Sequence, residues 1–105
     1  GKAIAIQCAR LGAKLAICGR KAERLEETAA ILRGLGAEVM VRPATIRDAE
    51  DVDRLHAEVW ARFGRLDHLV NNAGGQFPQA AIDYSVKGWN AVIDTNLNGT
   101  WYMMQ

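Results

Sequence analysis

The run Asn71-Asn72-Ala73-Gly74-Gly75 constrains this chain more than any other. Before it, Leu66 to Val70 reads as a short buried strand, with Leu66, Leu69 and Val70 apolar and Gly64 as a break ahead of it. After it, Gly75-Gln76-Phe77-Pro78 must be loop, because Pro78 cannot continue a central strand. Two amides and three small residues therefore stand where a buried strand ends. In an open parallel sheet that edge is the ligand crevice. Ala73, Gly74 and Gly75 leave the backbone open to close approach, while Asn71 and Asn72 can donate and accept at once, tying neighbouring chain ends together. A plain strand-to-helix turn rich in turn formers accounts for the same residues.

The rest of the chain alternates. Gly1 to Leu11 has a helical pattern stopped by Gly12, and Lys14 to Cys18 is a short apolar strand followed by the turn Gly19-Arg20-Lys21. Ala22 to Arg33 is rich in helix formers and is closed by Gly34; Glu38 to Val41 is a second strand, ended by Pro43. Asp48 is placed to cap a helix running to Phe63, in which Val52, Leu55, Val59 and Phe63 form one apolar stripe and Glu50, Asp53, Arg54, Glu58 and Arg62 the wet face. A last helix is expected from about Ser85 to the end. Strands alternating with helices predict an α/β fold with a parallel sheet. Three strands make an incomplete sheet. The chain opens without Met, directly into a helix, and closes inside another, so we expect a piece of a longer protein, with residues 1–105 as part of one domain.

Composition narrows the class. Half of the 105 residues are hydrophobic, 24% are charged and the formal net charge is +1, which argues against a dedicated nucleic-acid surface. No apolar run approaches a membrane span and no secretory leader is visible. Cys8 and Cys18 read as buried free thiols of a reducing cytoplasm.

In the last helix, a step of 100° per residue puts Trp89, Val92, Ile93, Asn96, Thr100 and Met103 on one side and Lys87, Asn90, Asp94, Asn98 and Gln105 on the other. Asn96 thus falls within an apolar stripe, where an unpaired amide costs about 1–3 kcal/mol, so it needs partners. A structural bond to neighbouring backbone is one explanation and a functional role the other. Gly1 would stand at a helix N-terminus suited to a pyrophosphate. Arg20 and Lys21 follow the first strand where dinucleotide folds place an acid for a ribose hydroxyl or an Arg for a 2′-phosphate; two cations favour NADP over NAD, unless they merely solvate a turn. His56 and His68 lack partners at metal-ligand spacing. Trp60 and Trp101 lie off-centre on their helices, and Phe77 either packs its loop or meets an apolar substrate.

Taken together, these motifs resemble the short-chain dehydrogenases/reductases over essentially the whole chain. Asn71-Asn72-Ala73-Gly74 is similar to the family's Asn-Asn-Ala-Gly motif after its fourth strand. Asn96-Leu97-Asn98-Gly99 is similar to the Asn-x-x-Gly on the next helix, and Gly1-Lys2-Ala3-Ile4-Ala5 to the end of the Gly-rich cofactor loop. Gly19-Arg20 matches NADP-preferring members. The resemblance implies a Rossmann-type doubly wound parallel sheet, here without its first strand and its C-terminal half. It implies Asn96 as the catalytic Asn that kinks the helix and, through its backbone carbonyl, holds a water of the proton relay. It implies cofactor contacts at Gly1, Arg20, Lys21, Thr45, Ile46, Asn72, Ala73, Gly74 and Gly75, with NADP(H) favoured over NAD(H). Thr45 replaces the Asp that many relatives turn towards adenine. Gly74 to Phe77, Lys87-Gly88-Trp89 and Thr95 to Thr100 are similar to peroxisomal trans-2-enoyl-CoA reductases and bacterial citronellol/citronellal dehydrogenases. These imply an acyl-CoA or a terpenoid alcohol or aldehyde as substrate, a place in fatty acid metabolism, and a homodimer or homotetramer.

The family's catalytic Ser and Tyr-x-x-x-Lys pair do not occur in these residues. Lys87 follows Tyr84 by three positions rather than four, and no Lys follows Tyr102. The 105 residues alone are therefore expected to be inactive and poorly stable. The alternatives are a catalytically dead dinucleotide-binding module and, more remotely, a flavodoxin- or receiver-like domain, which would need acids at the strand ends where Gly19, Thr45 and Asn71 stand.

Overall fold

The computed structural model describes all 105 residues. Helix α1 (Lys2–Arg10) leads to strand β1 (Leu15–Gly19), then α2 (Ala22–Gly34), β2 (Val39–Pro43) and α3 (Ala49–Phe63). A single 3-10 turn, Ala81–Asp83, precedes α4 (Val86–Ile93), a π-helical segment Asp94–Asn98 and α5 (Gly99–Met104). β1 and β2 pair in parallel, from Leu15 opposite Val39 to Gly19 opposite Pro43.

Side-chain alternation along the strands makes the sheet two-faced. Leu15, Ile17, Val39 and Val41 meet Ala9 of α1 and Ala29 and Leu32 of α2, the core of the molecule. Arg42, next to Val41 and so on the opposite face, pairs with Asp51 and Glu58 of α3. The α3 stripe is as expected: Val52, Leu55 and Val59 are buried and Phe63 half-buried. Asp48 caps it, its carboxylate accepting the Glu50 N–H at 3.0 Å. Gly64 closes it in the left-handed conformation (φ 68°), which glycine adopts without strain. α2 runs one residue further than expected, to Gly34, and its turn is made by Gly36 (φ 88°).

Three expectations are corrected. Leu66 to Val70 forms no ladder, because no strand of this chain lies beside it; Leu66, Leu69 and Val70 stay exposed. The last helix is not one continuous helix: the π-helical segment adds a residue to one turn and rotates α5 relative to α4. Val92, Ile93, Thr100 and Met103 face inward, half-buried, but Trp89 and Asn96 are exposed while Asp94 and Asn98 are half-buried. Cys8 and Cys18 are free thiols, half-buried rather than buried.

Only ten residues are buried in all. The radius of gyration is 15.2 Å, against about 13 Å for a compact domain of this length, so residues beyond Gly64 extend as an arm from the α/β unit.

Candidate functional site

Every chain end that carries an expected site residue lies on one edge, the carboxyl edge of the sheet. Gly19 and Pro43 are opposite each other at the ends of β1 and β2, and the Ala44 N–H donates to the Gly19 carbonyl at 2.9 Å. The same edge receives the N-termini of α1, α2 and α3, which begin just after Gly1, Lys21 and Asp48.

The Asn-Gly run is tied at two points, once to this edge and once to the turn at Asp94–Asn98. The Gly1 nitrogen donates to Asn72 Oδ1 at 2.9 Å, so Asn72 fastens the start of α1 to the end of the 66–70 segment. A Cβ on Gly1 would stand 3.0 Å from that amide, so glycine suits the close contact. Further along, the Gly75 N–H donates to Asn96 Oδ1 at 3.0 Å and Asn96 Nδ2 donates to the Gly75 carbonyl at 2.7 Å. One side chain thus satisfies both backbone groups of Gly75, as a neighbouring strand would. A Cβ on Gly74 would come within 2.7 Å of Asn96 Oδ1, so a larger residue there would have to push that amide aside. Asn96 does have the partners its position demands, though it is exposed rather than buried. The π-helical turn that presents it is a local distortion of the kind found at functional sites.

Arg20 and Lys21 are exposed in the turn after β1, and neither forms an ion pair with any carboxylate of the chain. Thr45 and Ile46 are half-buried in the loop after β2. The Ile46 N–H has no acceptor within the chain, and a Cβ on Gly99 would lie 2.8 Å from the Ile46 side chain and 2.9 Å from its carbonyl oxygen. Ala73 and Gly75 are exposed, and the space beside Gly75 is open. Free donors, uncompensated cations and bare backbone on one edge fit an anionic dinucleotide.

Three residues were not expected from the sequence. Asp51 accepts the Thr45 N–H at 2.7 Å and pairs with Arg42 at 3.0 Å. These contacts, the Thr45 bond first, hold its carboxyl below the ordinary carboxylate range. Its signal was an acid at the third helical position, where such side chains reach back to the preceding turn. The Tyr84 hydroxyl bonds both backbone groups of Phe77, accepting its N–H at 3.3 Å and donating to its carbonyl at 2.9 Å. Asp94 meets Arg47 at 3.5 Å and accepts Asn98 Nδ2 at 3.0 Å. Nothing local in the sequence announces the Tyr84 or the Asp94 arrangement.

Elsewhere the molecule offers less. Burial, and then the Asp51 charge, push the Cys18 thiol up. No three His, Cys, Asp or Glu side chains gather as a metal site. No helix is long and apolar enough to cross a membrane. A hollow lined by Arg10, Lys14, Gly36 and Glu38 lies at the amino edge of the sheet, away from Gly1, Arg20, Thr45 and the Asn-Gly run.

The comparisons with known proteins agree with one another. The sequence model of the short chain dehydrogenase family matches residues 1–105. A peroxisomal 2,4-dienoyl-CoA reductase of Arabidopsis thaliana is 37% identical over 103 residues, covering 98% of this chain and 35% of its own. The solved structure of a citronellol catabolism dehydrogenase of Pseudomonas aeruginosa superposes with a TM-score of 0.93 at 39% identity, over 99% of this chain and 42% of that one. An alcohol dehydrogenase of the archaeon Thermococcus sibiricus, solved with 5-hydroxy-NADP, gives 0.92 at 33% identity, over 99% and 46%. The chain thus spans less than half the length of these relatives. Its α/β fold is the Rossmann-like arrangement of such enzymes, with only part of the sheet present. By sequence and by fold, the chain belongs to the short-chain dehydrogenase/reductase family.

Proposed function

We propose that residues 1–105 are the cofactor-binding part of an NADP(H)-dependent oxidoreductase. In the whole protein it exchanges hydride with a carbonyl or alcohol carbon or with the double bond of an enoyl thioester. The observation that carries this reading is the carboxyl edge of the sheet, where Arg20 and Lys21 stand without carboxylate partners beside Gly1 and the glycines fastened by Asn72 and Asn96.

The start of α1 at Gly1 receives the pyrophosphate, its free N–H groups and helix dipole opposing the negative charge. Arg20, with Lys21, receives the 2′-phosphate, and Thr45 and Ile46 flank the adenine. Asn72, Ala73, Gly74 and Gly75 form a flat backbone wall along the nicotinamide half. When bound, the nicotinamide ring supplies or accepts the hydride. Asn96 acts as the catalytic Asn: its side chain holds Gly75, and the turn that carries it organises the proton relay. The 2,4-dienoyl-CoA reductase and citronellol dehydrogenase likenesses support an acyl-CoA or a terpenoid alcohol or aldehyde as substrate, and a part in fatty acid metabolism. Exposed Trp89, Leu97, Trp101 and Met104 fit a subunit contact in a cytoplasmic homodimer or homotetramer.

The alternative reading is a dinucleotide-binding module without turnover. The two part in steady-state kinetics of the full-length protein. With Arg20→Asp, the ratio of kcat/KM for NADPH to that for NADH is expected to fall at least about tenfold, the loss of one charge-assisted contact. An unchanged ratio removes Arg20 from the site. Dinucleotide binding without oxidation or reduction of enoyl thioesters, ketones or alcohols selects the module.

A further inference from the structure

The loop after β2 is held more firmly than its length requires, and Asp51 is the centre of the hold. One carboxylate oxygen accepts the Thr45 N–H at 2.7 Å, and the other accepts Arg42 Nη2 at 3.0 Å. Both side chains are more than four-fifths buried, at 17% and 18% exposure, and Arg42 is anchored again on Glu58. A carboxylate gripped from two sides fixes the backbone at Thr45. The loop is pinned at its other points too. Ala44 N–H is bonded to Gly19, Thr45 Oγ1 accepts the Arg47 N–H at 3.4 Å, and Ile46 lies against Gly99. The Ile46 N–H alone is left without an acceptor in the chain.

This loop stands one strand away from Arg20, since Gly19 and Pro43 are paired and neighbouring strands lie about 4.8 Å apart. A 2′-phosphate and an adenine are carried by the same ribose. A phosphate held at Arg20 therefore brings the base to the next strand end, where Thr45 and Ile46 stand. Ordering one backbone residue costs about 1–2 kcal/mol, so a loop ordered in advance by Asp51 spares the ligand that cost.

We propose that Asp51 is a positioning residue for the adenine half of the dinucleotide site: it presets the Thr45–Ile46 loop and so sets affinity for NADPH and NADH alike. This rests on the dinucleotide function proposed for this edge of the sheet. Asp51 reaches no ligand itself and bears on neither the 2′-phosphate nor the reacting atoms.

The test uses the full-length protein with Asp51→Ala, and with Asp51→Asn, whose carboxamide oxygen can still accept the Thr45 N–H. The readouts are Kd and KM for NADPH and NADH, kcat, Kd for 2′,5′-ADP, and turnover with reduced nicotinamide mononucleotide, which has no adenosine half. Asp51→Ala is expected to weaken NADPH, NADH and 2′,5′-ADP by a common factor of about ten. Saturating kcat and the mononucleotide parameters stay unchanged, because binding lost equally from ground and transition states appears in KM alone. Asp51→Asn recovers most of the loss. If Asp51→Ala does not fold, Asp51→Ser, whose hydroxyl is too short to span to Thr45, is read in the same way. Unchanged Kd values with a lowered Tm overturn the proposal, as does a change in the NADPH to NADH ratio. A wild-type protein that binds none of the three adenine ligands overturns the dinucleotide reading and this inference with it; wild-type binding unaltered by the variants overturns this inference alone.

Discussion

Residues 1–63 and residues 64–105 both carry apolar residues throughout yet differ in what they bury. Ala9, Leu25, Ala29, Leu32, Val39, Ala44, Val52, Leu55 and Val59 are all buried, and all lie in the first region. In the second, Gly99 alone is buried, whereas Leu66, Leu69, Val70, Phe77, Ile82, Val86, Trp89, Leu97, Trp101 and Met104 are exposed. The first region contains both partners of each layer: two paired strands, α1 and α2 on one face, α3 on the other. The second holds its own polar contacts, such as Asn96 with Gly75 and Tyr84 with Phe77, but no second apolar layer to cover its stripes. An apolar stripe makes a core only where a second stripe meets it, and burial, not composition, is what stabilises.

The contrast is sharpest for two leucines of the 105-residue polypeptide. Leu32→Ala, at a site with no exposure, is expected to cost about 2–5 kcal/mol and to abolish its far-UV circular dichroism transition. Leu69→Ala, at 37% exposure, is expected to shift the same transition by less than about 0.5 kcal/mol. Equal losses would mean that the two regions fold as one. Gly99→Ala tests one of the places where the arm meets the first region, others being the Gly1–Asn72 and Arg47–Asp94 contacts. The alanine Cβ would overlap Ile46, so a loss of about 1–3 kcal/mol is expected in urea denaturation of the full-length protein. No loss would show that contact to be slack.

The same contrast explains how far the sequence could be read. Asp48 as a cap, the α3 stripe and the glycine stop at Gly64 were legible because each depends on residues within a turn or two. β1 and β2 were legible because both members of the pair are present. Leu66 to Val70 has the residues of a strand but no neighbour to bond, and a ladder is a property of two segments. The wheel drawn through Trp89, Asn96 and Met103 assumed a constant 100° step, and the wide turn at Asp94–Asn98 breaks that assumption. Asn96 does bond Gly75, but it is exposed, so the burial from which partners were expected is not what holds it there. Asp51 was missed because Arg42 is joined to it by folding, and its reach back to Thr45 looks in sequence like any acid in a first helical turn.

Acid gives the smallest of these effects. The Asp51 carboxyl titrates lower in the folded chain than in the unfolded one, as does Asp67, which is held first by its bonds to Arg65. Their contribution to stability is therefore complete above the unfolded value, about pH 3.9, and is lost as pH falls below it towards the folded values. For these two groups, Tm of the full-length protein should be flat from pH 7 to about 5 and should decline below about 4. Asp51→Asn removes part of that decline; an identical acid limb would show that Asp51 carries none of it.

Tyr84 and Asn96 each grasp a single residue by both its backbone groups, Phe77 and Gly75 respectively. The span from Gln79 to Asp83 is thereby suspended between a fixed point at Phe77 and the start of α4, closed on itself by the bond from Gln79 Nε2 to the Asp83 carbonyl. Such a span is an interchangeable cassette: Ala80, Ala81, Ile82 and Asp83 lend no side-chain bond to the anchors and can vary without disturbing them. A lineage, or an engineer, could therefore rewrite a few residues here and leave the scaffold untouched.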